Sequence, residues 1–202
     1  ADTARVLAPV TVTVARTPAP PERVPWAVDA VDGRAARAGR LTVGLDEALA
    51  DVPGVIVANR YNFSVDQRLS IRGAGARANF GVRGVRVLLD GVPQTLPDGQ
   101  SQLTNVDLAN LARVEVLRGP ASSLYGNAAG GVVAFASDLS APSRGVGAGA
   151  QAAGGAYGVR KAQARAATRL GGATVAAASA SATSVAGFRQ HSAAEQRRVT
   201  LA

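Results

Sequence analysis

Residues 69–131 read LSIRGAGARANFGVRGVRVLLDGVPQTLPDGQSQLTNVDLANLARVEVLRGPASSLYGNAAGG. Runs of Val, Leu and Ile stop at glycine repeatedly, the pattern of short strands broken by sharp turns. Residues 85–89 form a strand turned by Asp90-Gly91, a hairpin signal because both residues tolerate the positive φ of a tight turn. Residues 106–111 offer a helical turn before a strand at 113–117, and Gly130-Gly131 precedes another strand at 132–136. Toward the N-terminus, residues 26–31 read as a strand and 44–52 as a short helix. Leu45, Ala48, Leu49 and Val52 share one side of that helix, and Pro53-Gly54 ends it. Short strands mixed with short helices over residues 26–139 predict an α+β domain built on a small mixed sheet, within single-domain size.

Composition bounds the chemistry. Hydrophobic residues make up 47% of the 202, aromatic residues only 4%, so the core is one of Val, Leu, Ile and Ala. There is no cysteine, hence no disulfide frame, thiolate metal site or cysteine nucleophile, and His191 is the only histidine. No apolar run approaches the roughly 18 residues of a membrane-spanning helix. A start at Ala1 rather than Met suits a processed, exported protein. The net charge of +8 is unevenly placed. Residues 1–140 carry 14 Arg against 13 acidic residues, whereas residues 141–202 carry 8 Lys plus Arg against Glu195 alone. A basic tail suits nucleic acid or anionic lipid, so the spacing of its charges decides its meaning.

That spacing alternates. Lys161, Gln163, Arg165 and Arg169 fall on odd positions, while Ala162, Ala164, Ala166, Thr168 and Leu170 fall on even ones. Ser179, Ser181 and Thr183 continue the period around Ala180 and Ala182, and Gly154-Gly155 and Gly171-Gly172 mark turns. Strands of about 10 residues with one polar and one apolar face signal a membrane β-barrel, or a soluble antiparallel sheet with one wet face. Residues 145–153, 159–170, 173–185 and 196–202 supply at most four strands. Closed barrels need about 8, and an open edge in lipid leaves backbone groups unpaired. The tail, residues 140–202, therefore reads as the first strands of a larger barrel.

Ahead of the α+β domain, Val10, Thr11, Val12, Thr13 and Val14 form a β-prone run, followed by Pro18, Pro20, Pro21 and Pro25. The prolines over residues 17–25 keep that linker extended. An arm at residues 1–16 with an exposed strand suits capture by another protein's sheet edge, or pairing within its own domain. Within the glycine-rich stretch, Gly73-Ala74-Gly75-Ala76-Arg77-Ala78 matches G-x-G-x-x-A, but no amphipathic helix follows to hold a pyrophosphate. That stretch and PQTLPDGQ at 93–100 offer Arg77, Asn79, Phe80, Gln94, Asp98 and Gln100 to a ligand, or are solvated loops. Arg72 and Arg118 each end an apolar strand before a glycine, as snorkelling arginines do.

LDEALADVPGV followed by LSIRG, then VRVLLDGVPQ, ARVEVLRGP and SLYGNAAGG, resembles the plug domain of TonB-dependent outer-membrane receptors. The resemblance continues into the tail. Gly155-Ala156-Tyr157-Gly158 is similar to the first tight turn of such barrels, and AGFRQHS at 186–192 to a segment of their second extracellular loop. It implies that Val10 to Val14 are the TonB box, with TonB and its inner-membrane energising complex as partner. It implies that Arg77, Asn79, Phe80, Gln94, Asp98 and Gln100 lie on apical loops facing a small extracellular ligand, a ferric siderophore first among solutes. Arg72 and Arg118 would lock the plug to glutamates of the barrel wall, a bidentate task that suits guanidinium. The resemblance further implies outer-membrane lipid around the barrel, and a plug and arm facing the periplasm. No cofactor or resident metal is implied.

Other classes fit poorly. A nucleic-acid-binding protein needs a contiguous basic patch with stacking aromatics, but the tail charges alternate with alanine and the chain holds eight aromatics. An enzyme needs a nucleophile beside a base, and neither a G-x-S-x-G element nor a metal-ligand cluster occurs. A soluble periplasmic binding module remains an alternative to the receptor.

Overall fold

The computed structural model describes residues 10–58, 67–78, 81–101, 103–172 and 174–202. In chain order they form β1 (Ala27–Asp32), α1 (Gly33–Arg37), α2 (Leu45–Leu49), β2 (Val55–Ala58), β3 (Arg68–Ile71), β4 (Val82–Arg83), β5 (Val85–Leu89), β6 (Val92–Pro93), β7 (Gln100–Ser101), β8 (Leu111–Arg118), α3 (Ser122–Tyr125) and β9 (Gly131–Ser137). Four longer strands follow: β10 (Val146–Gly155), β11 (Val159–Gly171), β12 (Thr174–Val185) and β13 (Ala194–Leu201).

Five strands make the central sheet in the order β1-β8-β9-β5-β6, antiparallel except for the β5–β9 pair. Period two along β8 sends Val114 and Val116 to one face and Glu115 and Leu117 to the other. The first face carries the main core: Phe135, Val87 and Val133 pack with Leu45, Ala48 and Leu49 of α2, with Val52, and with Leu69 and Ile71 of β3. The second face buries Leu117, Val132, Ala121 and Ala128 under Val14 of the N-terminal arm. Asp32 starts α1 by accepting from the backbone N–H groups of Arg34 and Ala35. The Asp90-Gly91 turn joins β5 to β6 with both residues at positive φ, 51° and 81°. The α+β domain anticipated from the sequence is thus present. Its helix at 44–52 is shorter than expected, and α1 lies in a stretch where none was expected.

The tail forms a separate antiparallel sheet, β10-β11-β12-β13. Lys161 lies opposite Thr183, Gln163 opposite Ser181, and Arg165 opposite Ser179, which gathers the polar odd positions on one face. Ala162, Ala164 and Ala166 meet Ala182, Ala180 and Ala178 on the other face. On that face Val199 and Leu201 are 74% and 78% exposed, an apolar wall that requires lipid or another sheet to cover it. The polar face turns toward the α+β domain.

Candidate functional site

The N-terminal run expected to stand free is docked instead. Val12 and Val14 are 0% and 1% exposed. Val12 exchanges two backbone hydrogen bonds with Ala19, so the arm doubles back on its own proline segment. The carboxylate of Glu115 accepts from the backbone N–H groups of Thr13 and Val14, both at 2.7 Å, and from the Thr13 hydroxyl at 3.3 Å. Arg113 pairs with the same carboxylate at 2.7 Å and donates to the Thr11 carbonyl at 2.8 Å. The Tyr125 hydroxyl donates to the Val14 carbonyl at 2.8 Å, and Arg16 lies over the Tyr125 ring, 4.1 Å from its centroid. Burial first, then the negative Glu115, push the Tyr125 phenol up, against the opposing Arg16. Sequence reasoning missed this grip because Glu115 sits inside an apolar strand about a hundred residues from the arm, with no local signal of its partner.

Of the loop residues, Asn79 and Phe80 lie outside the described residues. Arg77 is exposed beyond a tight turn in which Ile71 and Ala74 exchange backbone hydrogen bonds across Arg72 and Gly73. Gln94, Asp98 and Gln100 share one loop, in which Asp98 holds Gln100 and Gln94 turns to other partners. Asp98 accepts from the Gln100 amide N–H at 3.0 Å and its side-chain Nε2 at 2.7 Å, while Gln94 bonds Asn105 and the Val92 carbonyl. The β4–β7 ladder, Val82 with Ser101 and Arg83 with Gln100, sets this loop beside the strand that follows Arg77. Arg83 and Asn127 complete the surface: Arg83 pairs with Asp98 at 3.8 Å, and Asn127 donates to the Gly99 carbonyl at 3.1 Å.

Arg118 and Arg72 differ. Arg118 pairs with Asp29 of β1 at 2.6 Å and donates to the Pro53 carbonyl at 3.1 Å, while its buried Nε has no partner among the described residues. Arg72 is exposed at φ 50° in the turn after β3, its own N–H bonded to the Gly54 carbonyl at 2.7 Å.

Three cations of the tail sheet grip the plug. Lys161 Nζ donates to the carbonyl, at 2.7 Å, and to the hydroxyl of Thr42, whose N–H is held at 2.8 Å by Glu47. Arg165 donates to the carbonyls of Asp138 and Ser140, both at 2.7 Å, and pairs with the Asp138 carboxylate at 3.3 Å. Arg198 donates to the Thr104 carbonyl at 2.9 Å. Burial would raise the Asp138 pKa, but the Ser140 hydroxyl and amide, with Arg165 and Arg37, outweigh it and hold the carboxyl below its ordinary value.

A mixed sheet whose second face stows the N-terminal arm, seated against the polar face of an amphipathic antiparallel wall, defines a plug on a barrel wall. The description "TonB-dependent Receptor Plug Domain" matches residues 20–132. The chain belongs to the TonB-dependent receptor family. It is 35% identical over 112 residues to a hemin receptor of Yersinia pestis, covering 55% of this chain and 15% of that protein. A second hemin receptor, from Yersinia enterocolitica, is 35% identical over 101 residues, 48% of this chain and 14% of that one. The pyoverdine outer membrane receptor FpvA of Pseudomonas aeruginosa superposes with a TM-score of 0.69 at 18% identity, over 95% of this chain and 26% of that one. The alcaligin outer membrane receptor FauA of Bordetella pertussis gives 0.65 at 19% identity, over 95% and 31%. The matched stretches thus cover about a seventh of the length of the hemin-receptor relatives. The family is one of receptors and transporters, not enzymes.

Proposed function

We propose that this chain is the N-terminal part of an outer-membrane receptor that takes a scarce iron-bearing solute from outside the cell and passes it to the periplasm on energy transmitted by TonB. The observation that carries the reading is the plug itself: a family-matched domain seated on the polar face of strands whose opposite face is largely Ala, Val and Leu. Solute would meet the paired loops bearing Arg77, Gln94, Asp98 and Gln100. Val10 to Val14 would be the segment TonB captures by adding a strand, after release from Glu115. The unsatisfied Nε of Arg118 supports a further acceptor from the wall, the locking role for which Arg118 and Arg72 are put forward.

A ferric siderophore is the first solute class. Haem is the second, favoured by the hemin receptors at 35% identity. The test is uptake in a strain deleted for the receptor and complemented with it, using radio-iron as ferric siderophore or as haem. Growth and uptake must vanish when Val12 is replaced by Pro, which removes a ladder donor and fixes φ. Uptake untouched by Val12→Pro removes the TonB assignment.

A further inference from the structure

Between α1 and the inner face of β10, β11 and β12 lies a cavity of about 580 Å³, a size typical of small-ligand sites. Its charged lining is Arg34, Arg37 and Arg165, with no carboxylate among the lining residues. Arg165 is neutralised by Asp138, but Arg34 and Arg37 make no ion pair among the described residues. Asp32, the nearest acid on their own helix, is engaged in capping it. Burial lowers the Arg37 pKa by more than Asp138 and Asp32 raise it, and its Nη1 donates to the Leu111 carbonyl, leaving the rest of the guanidinium to the cavity. Two polar atoms of the wall are also without partners among the described residues. The Ser179 hydroxyl is buried, on a residue 7% exposed, and so is Gln163 Oε1, whose amide nitrogen is spent on Gln151. Facing them, β10 supplies glycines: a side chain at Gly149 would meet nothing within 4 Å, so the space is open.

We propose that this cavity is a binding site for hydroxycarboxylates. Guanidinium groups of Arg34 and Arg37 take a carboxylate bidentately, the Ser179 hydroxyl donates to it, and Gln163 Oε1 accepts from a ligand hydroxyl. The site lies between plug and wall, distinct from the loops bearing Arg77 and Asp98. On the receptor reading it would hold a solute's carboxylates on the way past the plug.

The probe is citrate, titrated calorimetrically at low ionic strength into the detergent-purified receptor. Wild type should bind citrate saturably, and Arg34→Gln combined with Arg37→Gln should weaken binding at least about tenfold. Ser179→Ala, which leaves the plug contacts in place, should weaken it about threefold, and tricarballylate, citrate without its hydroxyl, should bind less well than citrate. Arg23→Gln, on the exposed turn before β1, should change nothing. Wild type that fails to bind citrate overturns the proposal, as does equal binding by wild type, Arg34→Gln and Ser179→Ala. Binding of the TonB C-terminal domain to the same preparation judges the receptor reading separately, since it does not depend on the cavity.

Discussion

Glu115→Gln should release the N-terminal arm. In the structure one carboxylate, 3% exposed, holds two backbone N–H groups at 2.7 Å and Arg113 at 2.7 Å. Hydrogen bonds to a charged partner are worth about 1.5–3 kcal/mol each. Both amides bond Oε2 and Arg113 holds Oε1, so glutamine can keep its oxygen on the amides only by turning its NH₂ toward the guanidinium, and it gives up the charge in either orientation; a loss of about 2 kcal/mol in arm docking is expected. A partner that adds a strand to Val10–Val14 can bind only undocked arm, so its apparent dissociation constant is the intrinsic one divided by the undocked fraction. A shift of about 2 kcal/mol raises that fraction, and hence the apparent affinity, by about 30-fold while the docked state still dominates. The assay is calorimetric titration of the periplasmic C-terminal domain of TonB into wild-type and Glu115→Gln receptor. A peptide of residues 2–16, which has nothing to dock against, sets the intrinsic limit. Equal affinities for wild type, Glu115→Gln and free peptide would refute the reasoning, because the arm would then be accessible despite Glu115.

Two further outcomes follow from the contacts. Arg118→Ala strands Asp29 in a partly buried site and, with any wall carboxylate, should cost about 3–5 kcal/mol locally; it should raise leakage of a large antibiotic through the outer membrane, whereas Arg77→Ala should weaken ligand binding without leakage. Asp138 has a pKa below its ordinary value, so its contribution to stability is complete above the unfolded value of about 3.9 and is lost as pH falls through the lower folded value. Thermal unfolding should therefore lose midpoint on acidification below about pH 4, and Asp138→Asn should flatten that limb.

What the sequence disclosed follows from where local signals are strong. Residues 85–89 are a strand with the bounds expected, because the Asp90-Gly91 turn fixes one end. The two faces of β11 and β12 follow from period two alone. Short elements fared worse. Nothing in GRAAR announces α1, which needs the Asp32 cap and its packing against β8 to exist. Within the glycine-rich stretch Arg72 and Gly73 form a two-residue turn, and the next described element is the short strand β4. The candidate site was legible only in part. Gln94, Asp98 and Gln100 could be grouped from one loop, but their approach to the strand after Arg77 depends on a two-residue ladder that no periodicity reveals. The docking of the arm leaves no local signal in the sequence, because its partner, Glu115, is about a hundred residues away.

The basic tail shows why charge must be read with geometry. Of its eight cations, Lys161, Arg165 and Arg198 point inward and reach seven oxygens of the plug and of the segment that leaves it, four being backbone carbonyls. Arg169 closes the turn at Gly172, and Arg197 pairs with Glu195 on the outer face. These five cations are thus spent one by one along the sheet rather than gathered into a patch for a phosphate backbone. The choice of carbonyl acceptors also matters for a plug that must be held and still move. A cation bonded to a carbonyl leaves a neutral group behind when the bond breaks. Separating a buried ion pair instead strands a charge, at about 3–5 kcal/mol. The wall therefore grips the plug mainly through backbone oxygens at Thr42, Thr104 and Ser140, and keeps one carboxylate, Asp138, at the point where the chain passes from plug to wall. The firmest contact lies at the covalent hinge, where the two parts separate least, and the weaker ones lie farther along the plug.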